Sequence, residues 1–339
     1  MSIKSLTSRI FHSRSRGAVL EAFERGEFPC TECHHIMKLD ELTPLQMAQC
    51  PKCKAMNFIP MRLGHFWLVQ PVGGGGMGSV YKGFHPEYPD QAFAVKVLAR
   101  SEKQKPAQVS ALIREATVAR NLGHHPCLVG YAASGYLDGE YFLAMEYIDG
   151  KGLDKRIDTE QQLPEKMVLL TALYVLAAQQ HINEKGYLYR DLKPENIVVT
   201  RDGRAVLLDY GLCLTLEKAR NPGDEFVTGS PYYLPPERLW GTGEDAFSEM
   251  YSLGMVMYYA LTGQTFFDAD EVESLAKKHV SKVRLAVGSR LKGFRPELID
   301  VLTRMLKQEP EERYQTFEEL SRDLHAVYEI VLDEEKKGA

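Results

Sequence analysis

The stretch YLYRDLKPENIVVTRDGRAVLLDYG, residues 187–211, limits this chain more than any other. Two short aliphatic runs, IVVT and AVLL, flank RDGR, and Asp-Gly between such runs is the strongest short-range signal for a β-hairpin. With Asp202-Gly203 as a two-residue loop, the pairs run 201–204, 200–205 and on to 196–209. That register predicts Asn196 directly across from Asp209, both side chains on one face. An amide oxygen beside a carboxylate makes a hard-oxygen site, suited to Mg²⁺ that also takes oxygens from phosphate. Asp191 stands five residues before Asn196, and Lys193 two after Asp191. A base, a cation and two metal ligands are thereby expected at one corner.

A second signal lies upstream. In VGGGGMGSVYKG, Val72 to Gly83, the spacing Gly73-x-Gly75-x-x-Gly78-x-Val80 joins two predicted strands, FWLVQPV and SVYKGF. A flexible linker and a phosphate-covering hairpin both use glycine this way. A dinucleotide fingerprint is disfavoured, because it needs a strand followed by a helix and an acid about 20 residues on. Lys96 follows in the strand AFAVKVL, with Val95 and Val97 on the opposite face. The helix predicted between Pro106 and Asn121 puts Val109, Leu112, Ile113 and Ala116 on one face. Glu115 lies at the border of that stripe, within reach of Lys96.

At 339 residues the chain has room for one large domain with a satellite, or for two to three ordinary ones. Strand signals gather early, ending with YFLAMEY; helical patterns dominate after Asp154, over Pro164–Lys185, Ser248–Leu261 and Glu297–Leu306. This segregation predicts two lobes of different class. A net charge of −5 supplies no overall basic field for nucleic acid or anionic lipid. The longest nearly apolar run, Met167 to Ala178, has 12 residues, too few to span a bilayer. The first 17 residues carry four basic residues, five serines and no acid, and are read as a polar terminus rather than a targeting segment. No secretory signal is seen, so a reducing, cytoplasmic setting is expected.

That setting favours metal over disulfides for the cysteines. CTEC at 30–33 and CPKC at 50–53 give C-x₂-C-x₁₆-C-x₂-C. Two such knuckles offer four thiolates, Cys30, Cys33, Cys50 and Cys53, to a structural Zn²⁺, as in a zinc ribbon. A redox dithiol pair needs a strand–helix setting that FPCTECHH lacks. A module of about 30 residues also has too little core to fold without a clamp. His34 and His35 are expected at the surface, Cys127 and Cys213 as ordinary buried cysteines. The basic residues near the ribbon are balanced by acids, so protein docking or regulation is expected of it rather than nucleic-acid binding.

The order GGGGMGSV, AVK, the helix with Glu115, YRDLKPEN, DYG and GSPYYLPPE resembles that of eukaryotic-type protein serine/threonine kinases of bacterial style, over about residues 64–332. The resemblance implies an α+β, bilobal kinase fold, with an N-lobe at 64–148 and a C-lobe at 149–332. Before it come an N-terminal extension, 1–28, partly helical over Ala18–Arg25, and the ribbon, 29–60; a frayed tail, 333–339, follows. It implies transfer of the γ-phosphoryl group of ATP to protein Ser/Thr hydroxyls, with autophosphorylation and with Mg²⁺ or Mn²⁺. Val72, Gly73, Gly74, Gly75, Gly76, Met77 and Gly78 would belong to the nucleotide-binding loop, with the N–H groups of Gly75 to Gly78 over the β- and γ-phosphates, and Val80 and Ala94 would hold the adenine. The hinge would run over Glu146–Ile148, after Met145. Lys96, held by Glu115, would contact the α- and β-phosphates, and Asn196 and Asp209 would hold magnesium. Asp191 would accept the substrate proton while Lys193 steadies the moving group, and Ser230 would contact Asp191.

Several positions depart from the family pattern. Tyr189 replaces the usual histidine, Tyr210 a phenylalanine and Pro235 an alanine, leaving the carboxylates in place. Glu237 would pair with Arg313. Glu249 stands where an aspartate normally fixes the catalytic loop, so the loop is expected to sit differently. Arg190, before Asp191, needs an anion: a phosphate on Thr228 or Thr215, or else Asp224 or Glu225. The alternative to an active enzyme is a pseudokinase scaffold with the ribbon as docking module.

Overall fold

The computed structural model describes residues 16–75, 78–98, 102, 105–222, 228–269, 271–281 and 287–338. Gly76, Met77, Asp224 and Glu225, named above, lie outside them. The chain forms two compact units, Met1–Thr117 with Gly130–Tyr147, and Val118–Val129 with Ile148–Ala339.

In the first unit, helix α1 (Arg16–Glu24) leads into two small hairpins, β1 (Glu27–Pro29) with β2 (Ile36–Lys38) and β3 (Met47–Gln49) with β4 (Met56–Phe58). There follow β5 (Met61–Leu63), β6 (Phe66–Gly75), β7 (Gly78–His85), β8 (Tyr88–Leu98), β9 (Tyr131–Leu137) and β10 (Glu140–Glu146). They make one antiparallel sheet in the order β5-β6-β7-β8-β10-β9. Strand alternation splits its apolar residues between two faces. Leu63, Phe66, Leu68, Phe93, Val95, Val97, Phe142 and Ala144 form the core of one face. On the other, Leu98 and Leu143 meet Leu112 and Ala116 of helix α2 (Pro106–Leu122). Ile113, expected on that stripe, is 56 % exposed: the buried face of α2 is narrower than the sequence pattern suggested.

A third core joins α1, the cysteine hairpins and the six-stranded sheet. Val19, Leu20 and Phe23 of α1 pack with Phe28, Cys30, Met37, Cys50 and Ile59, and with Trp67, Val69 and Phe84 of β6 and β7. The Trp67 indole N–H donates to Glu24 Oε1 at 2.7 Å, so α1 is tied to β6 by a polar contact as well. The cysteine module therefore shares its apolar interior with the strands that lead to the glycine run.

The second unit is mainly helical. β11 (Gly150–Gly152) pairs with β13 (Ile197–Thr200), which pairs with β14 (Ala205–Leu207); β12 (Tyr187–Leu188) pairs with β15 (Leu214–Thr215). Helices α3 (Glu165–Glu184), α4 (Ala246–Thr262), α5 (Pro296–Met305) and α6 (Phe317–Gly338) carry most of the remaining core. Helix α4 is buried nearly all round, from Ala246 to Leu261. Asp245 and Ser248 form a capping box at its start, and Gly263, with φ +68°, ends it in the left-handed region. Helix α6 runs through residues 333–338, where a frayed tail was expected. Glu-Lys-rich sequence has ample helix propensity, and Lys336 pairs with Asp333 one turn back at 3.2 Å.

The β13–β14 hairpin departs from the predicted register. Its pairs are Ile197–Leu207, Val198–Val206 and Val199–Ala205, one residue out of step with the prediction. The loop has three residues. Gly203, φ +86°, donates its N–H to Thr200 O at 3.0 Å, and the Thr200 hydroxyl binds Arg204 O at 2.8 Å. The two-residue alternative needs positive φ at both Asp202 and Gly203, and only the glycine has it. Asn196 consequently lies across from Leu208, whose N–H it accepts at 2.8 Å, and Asp209 is the next residue beyond.

Candidate active site

The first unit supplies a paired lysine. Lys96 Nζ lies 2.7 Å from Glu115 Oε2, and the glutamate side chain is buried beneath it. The pairing follows from register: Lys96 sits opposite Leu143 and Val80, on the sheet face that α2 covers, while Val95 and Val97 point into the opposite core. Ala94 is across from Lys82, on the same face as Lys96. The glycines divide into two kinds. A Cβ on Gly73 would meet nothing within 4 Å, whereas one on Gly78 would come 2.4 Å from the Val97 carbonyl oxygen. Gly78 is therefore demanded by the close crossing of β7 and β8, a packing reason separate from any phosphate.

In the second unit the loop after β12 carries the polar cluster. Lys193 Nζ donates to Asp191 Oδ2 at 2.8 Å. Asn196 Nδ2 donates both to Asp191 O at 2.9 Å and to Asp191 Oδ2 at 3.0 Å. Asp191 Oδ1 is buried and has no hydrogen-bond partner among the described residues. Ser230, expected to contact Asp191, is not among its partners. A buried carboxylate oxygen without a partner keeps an unused acceptor position.

Tyr189 fills the space beneath this loop. Its hydroxyl donates to Leu208 O, and it is almost completely buried. Burial first, then the negative charges of Asp209 and Asp191, hold its phenol well above the ordinary range. It stays a neutral donor, and both carboxylates lie close enough to act on it. Two residues here adopt the left-handed region without being glycine, Arg190 at φ +69°, next to Asp191, and Asp209 itself at φ +60°. Such backbone costs on the order of 1 kcal/mol or more and needs support from its surroundings. Asp209 Oδ1 accepts from Gly211 N at 2.8 Å, and the Tyr210 hydroxyl donates to Val129 O at 2.8 Å.

The support for Arg190 is extensive. Glu249 Oε1 accepts its backbone N–H at 2.9 Å, so the longer acid still reaches the loop that carries Asp191. Glu249 Oε2 accepts from Gln179 Nε2 of α3 at 2.8 Å. Burial pushes the Glu249 carboxyl up to about 7. The Arg190 guanidinium pairs with Glu244, which also binds Arg238 at 2.6 Å. Nearby, Arg313 and Glu237 form the expected pair at 2.8 Å with both side chains fully buried, and the Ser248 hydroxyl donates to Glu237 at 2.6 Å.

Sequence reasoning missed Glu244 and Gln179. Glu244 offered no signal, being one acid among several in a turn. Gln179 did: it falls on the stripe Val168, Ala172, Val175, Ile182 of α3, where a polar residue is out of pattern.

The four cysteine sulfurs of the N-terminal module lie within 4.8 Å of one another. Cys30 Sγ is 3.6 Å from Cys53 Sγ, and Cys33 Sγ 3.7 Å from Cys50 Sγ. Zn–S bonds of about 2.3 Å at tetrahedral angles need edges of about 3.8 Å, so the donor set fits zinc. Each knuckle turns through a left-handed residue, His34 at φ +57° and Lys54 at φ +63°. Their N–H groups donate to Cys30 O and Cys50 O, both at 3.0 Å. Buried Asn57 braces the site, accepting from Thr31 N at 2.9 Å and donating to Cys30 Sγ at 3.6 Å.

Among the described residues no helix is long and apolar enough to cross a membrane. The chain is similar to a probable serine/threonine-protein kinase of Clostridium perfringens, 31% identical over 260 residues, covering 77% of this chain and 38% of the relative. It is also similar to the serine/threonine-protein kinases PknB of Mycobacterium tuberculosis, 30% identical over 267 residues, and PrkC of Bacillus subtilis, 28% over 275 residues. These matches cover 77% and 81% of this chain, and 42% of each relative. The chain thus spans about two fifths of the length of the curated relatives it matches. Residues 66–324 match the protein kinase domain as a family, and with the glycine hairpin, the Lys96–Glu115 pair and the Asp191 cluster inside that span, the chain belongs to the protein kinase family.

Proposed function

We propose that the chain is an ATP-dependent protein serine/threonine kinase, transferring the γ-phosphoryl group of ATP to protein hydroxyls and to itself. The observation that carries this reading is Asp191: one oxygen is held by Lys193 and Asn196, and the other is without a hydrogen-bond partner among the described residues. That arrangement suits a base that receives a hydroxyl proton. Phosphoryl transfer asks for positioning and charge neutralisation rather than covalent help. Backbone N–H groups of Gly75 to Gly78 would lie over the β- and γ-phosphates, with Val80 and Ala94 against the base and the hinge at Glu146 to Ile148. Lys96, held by Glu115, would neutralise the α- and β-phosphates, and Lys193 the group in transfer. Mg²⁺, when bound, supplies positive charge between the β- and γ-phosphates. Asp209 and the Asn196 amide oxygen are the hard donors this chain offers it, Asp209 standing one residue beyond the strand pair.

Cys30, Cys33, Cys50 and Cys53 are assigned to structural zinc. The ribbon at 29–60 and the kinase region at 64–332 remain the sequence divisions, joined through the core around Trp67. The intact Lys96, Asp191, Asn196 and Asp209 oppose the scaffold reading. Incubation with γ-labelled ATP, Mg²⁺ and a general protein acceptor tests the proposal. Phosphoserine and phosphothreonine are expected in the hydrolysate, and label on tyrosine alone would defeat it.

A further inference from the structure

Arg190 immediately precedes the proposed base, and its guanidinium already has a carboxylate partner. Glu244 Oε1 accepts from Arg190 Nε at 3.1 Å and lies 2.9 Å from Nη2. Glu244 Oε2 accepts from Arg238 Nε at 2.8 Å and Nη2 at 2.6 Å. One carboxylate thus pairs with two guanidiniums, one on each oxygen, through charge-assisted hydrogen bonds. Its side chain is 1% exposed, against 7% for Arg190 and 4% for Arg238. A second contact makes this a loop anchor: Arg238 Nη1 donates to Arg190 O at 2.7 Å. The left-handed Arg190 is therefore held by its N–H through Glu249, by its carbonyl through Arg238, and by its side chain through Glu244.

We infer that Glu244 is the resident anion that positions the catalytic loop, so that phosphate on the segment between Asp209 and Glu237 is not needed for turnover. This rests on the kinase reading above. The placement of Glu244 supports it: this one carboxylate lies between the guanidiniums of Arg190 and Arg238 in a buried cluster. A phosphate of nearly two negative charges would have to displace Glu244 from both guanidiniums before gaining them. Glu244 lies outside that segment, next to the cap of α4, so its position is set by the fold. The segment's Ser/Thr hydroxyls are those of Thr215, Thr228 and Ser230. Arg238 touches Thr228 through the backbone carbonyl, at 3.3 Å.

The full chain is prepared phosphate-free with a phosphatase, checked by mass, and compared with the autophosphorylated chain. Two readouts are taken: steady-state transfer to a general acceptor, and amide hydrogen exchange over residues 187–193. Rates within twofold of each other and superimposable exchange are expected. A tenfold or larger loss of kcat on dephosphorylation, restored by rephosphorylation, would overturn the inference. Glu244→Gln is expected to lower kcat at least tenfold, leave KM for ATP within threefold, and speed exchange at Arg190 and Asp191. Unchanged kcat and exchange in that variant would also overturn it. If the variant does not fold, the phosphatase comparison on the wild-type chain decides alone. Absence of any transfer by the wild-type chain would defeat the kinase reading, while exchange in the phosphate-free and Glu244→Gln chains would still decide the anchor.

Discussion

Replacing Glu249 by glutamine should remove a specific pH dependence of stability. The carboxyl is buried, accepts from Arg190 N and Gln179 Nε2, and is raised by burial from its ordinary 4.5 to about 7. Between those two values the folded chain binds a proton that the unfolded chain has released. The group's contribution to stability is therefore most favourable below pH 4.5 and is lost as pH rises to 7. At about 1.36 kcal/mol per pH unit, the loss between pH 5 and 8 comes to about 2.5 kcal/mol. Glutamine keeps the acceptor for Arg190 N. Its own amide donor can be met if Gln179 turns its buried, unpartnered Oε1 toward it. Urea unfolding at pH 5, 6, 7 and 8, followed through Trp240 fluorescence in a Trp67→Phe background, measures the effect in the second unit. Other groups, such as His279, pushed down to about 4 by burial, titrate in both chains and cancel in the difference. The variant should gain about 2.5 kcal/mol relative to the parent between pH 5 and 8. Parallel profiles, within about 0.5 kcal/mol, would refute the burial argument.

Further outcomes follow from other pairs. Glu237→Gln leaves the Arg313 guanidinium buried without its anion and should destabilise the second unit by about 3–5 kcal/mol in denaturant unfolding; a change below about 1 kcal/mol would contradict the pair's role. Purified chain should carry one zinc by elemental analysis, and chelation should shift Trp67 emission to the red, because Trp67 shares a core with Cys30 and Cys50. Unchanged emission after complete zinc loss would separate ribbon from sheet. Lys96→Met should lower kcat/KM for ATP on the order of 10²-fold or more, measured in initial-rate assays with folding checked by circular dichroism.

Much of the architecture was written in local pattern. Strand alternation placed Lys96 opposite in sense to Val95 and Val97, and the CxxC pairs marked the sulfur cluster, because both are short-range consequences of backbone geometry. The Asp-Gly hairpin was legible as a hairpin but not in its length, since Asp-Gly serves two-residue and three-residue loops and only the φ of Asp202 distinguishes them. For the anion beside Arg190 the sequence points to Thr215, Thr228, Asp224 or Glu225; the side chain pairs with Glu244, which only tertiary packing brings to it. Ile113 falls outside its predicted stripe because α2 buries against Leu98 and Leu143 only the narrower arc that carries Leu112 and Ala116. The shared interior of ribbon and sheet likewise had no signature, as Trp67 and Phe84 read equally well as ordinary strand residues.

The account turns on Asp191 as the proton acceptor for phosphoryl transfer. The direct measurement is the rate of γ-phosphate incorporation into a protein acceptor by wild-type chain and by Asp191→Asn, with ATP affinity determined in parallel. The account predicts a fall in kcat of about 10²-fold or more with nucleotide affinity within a few-fold. Equal incorporation by the two proteins would contradict it.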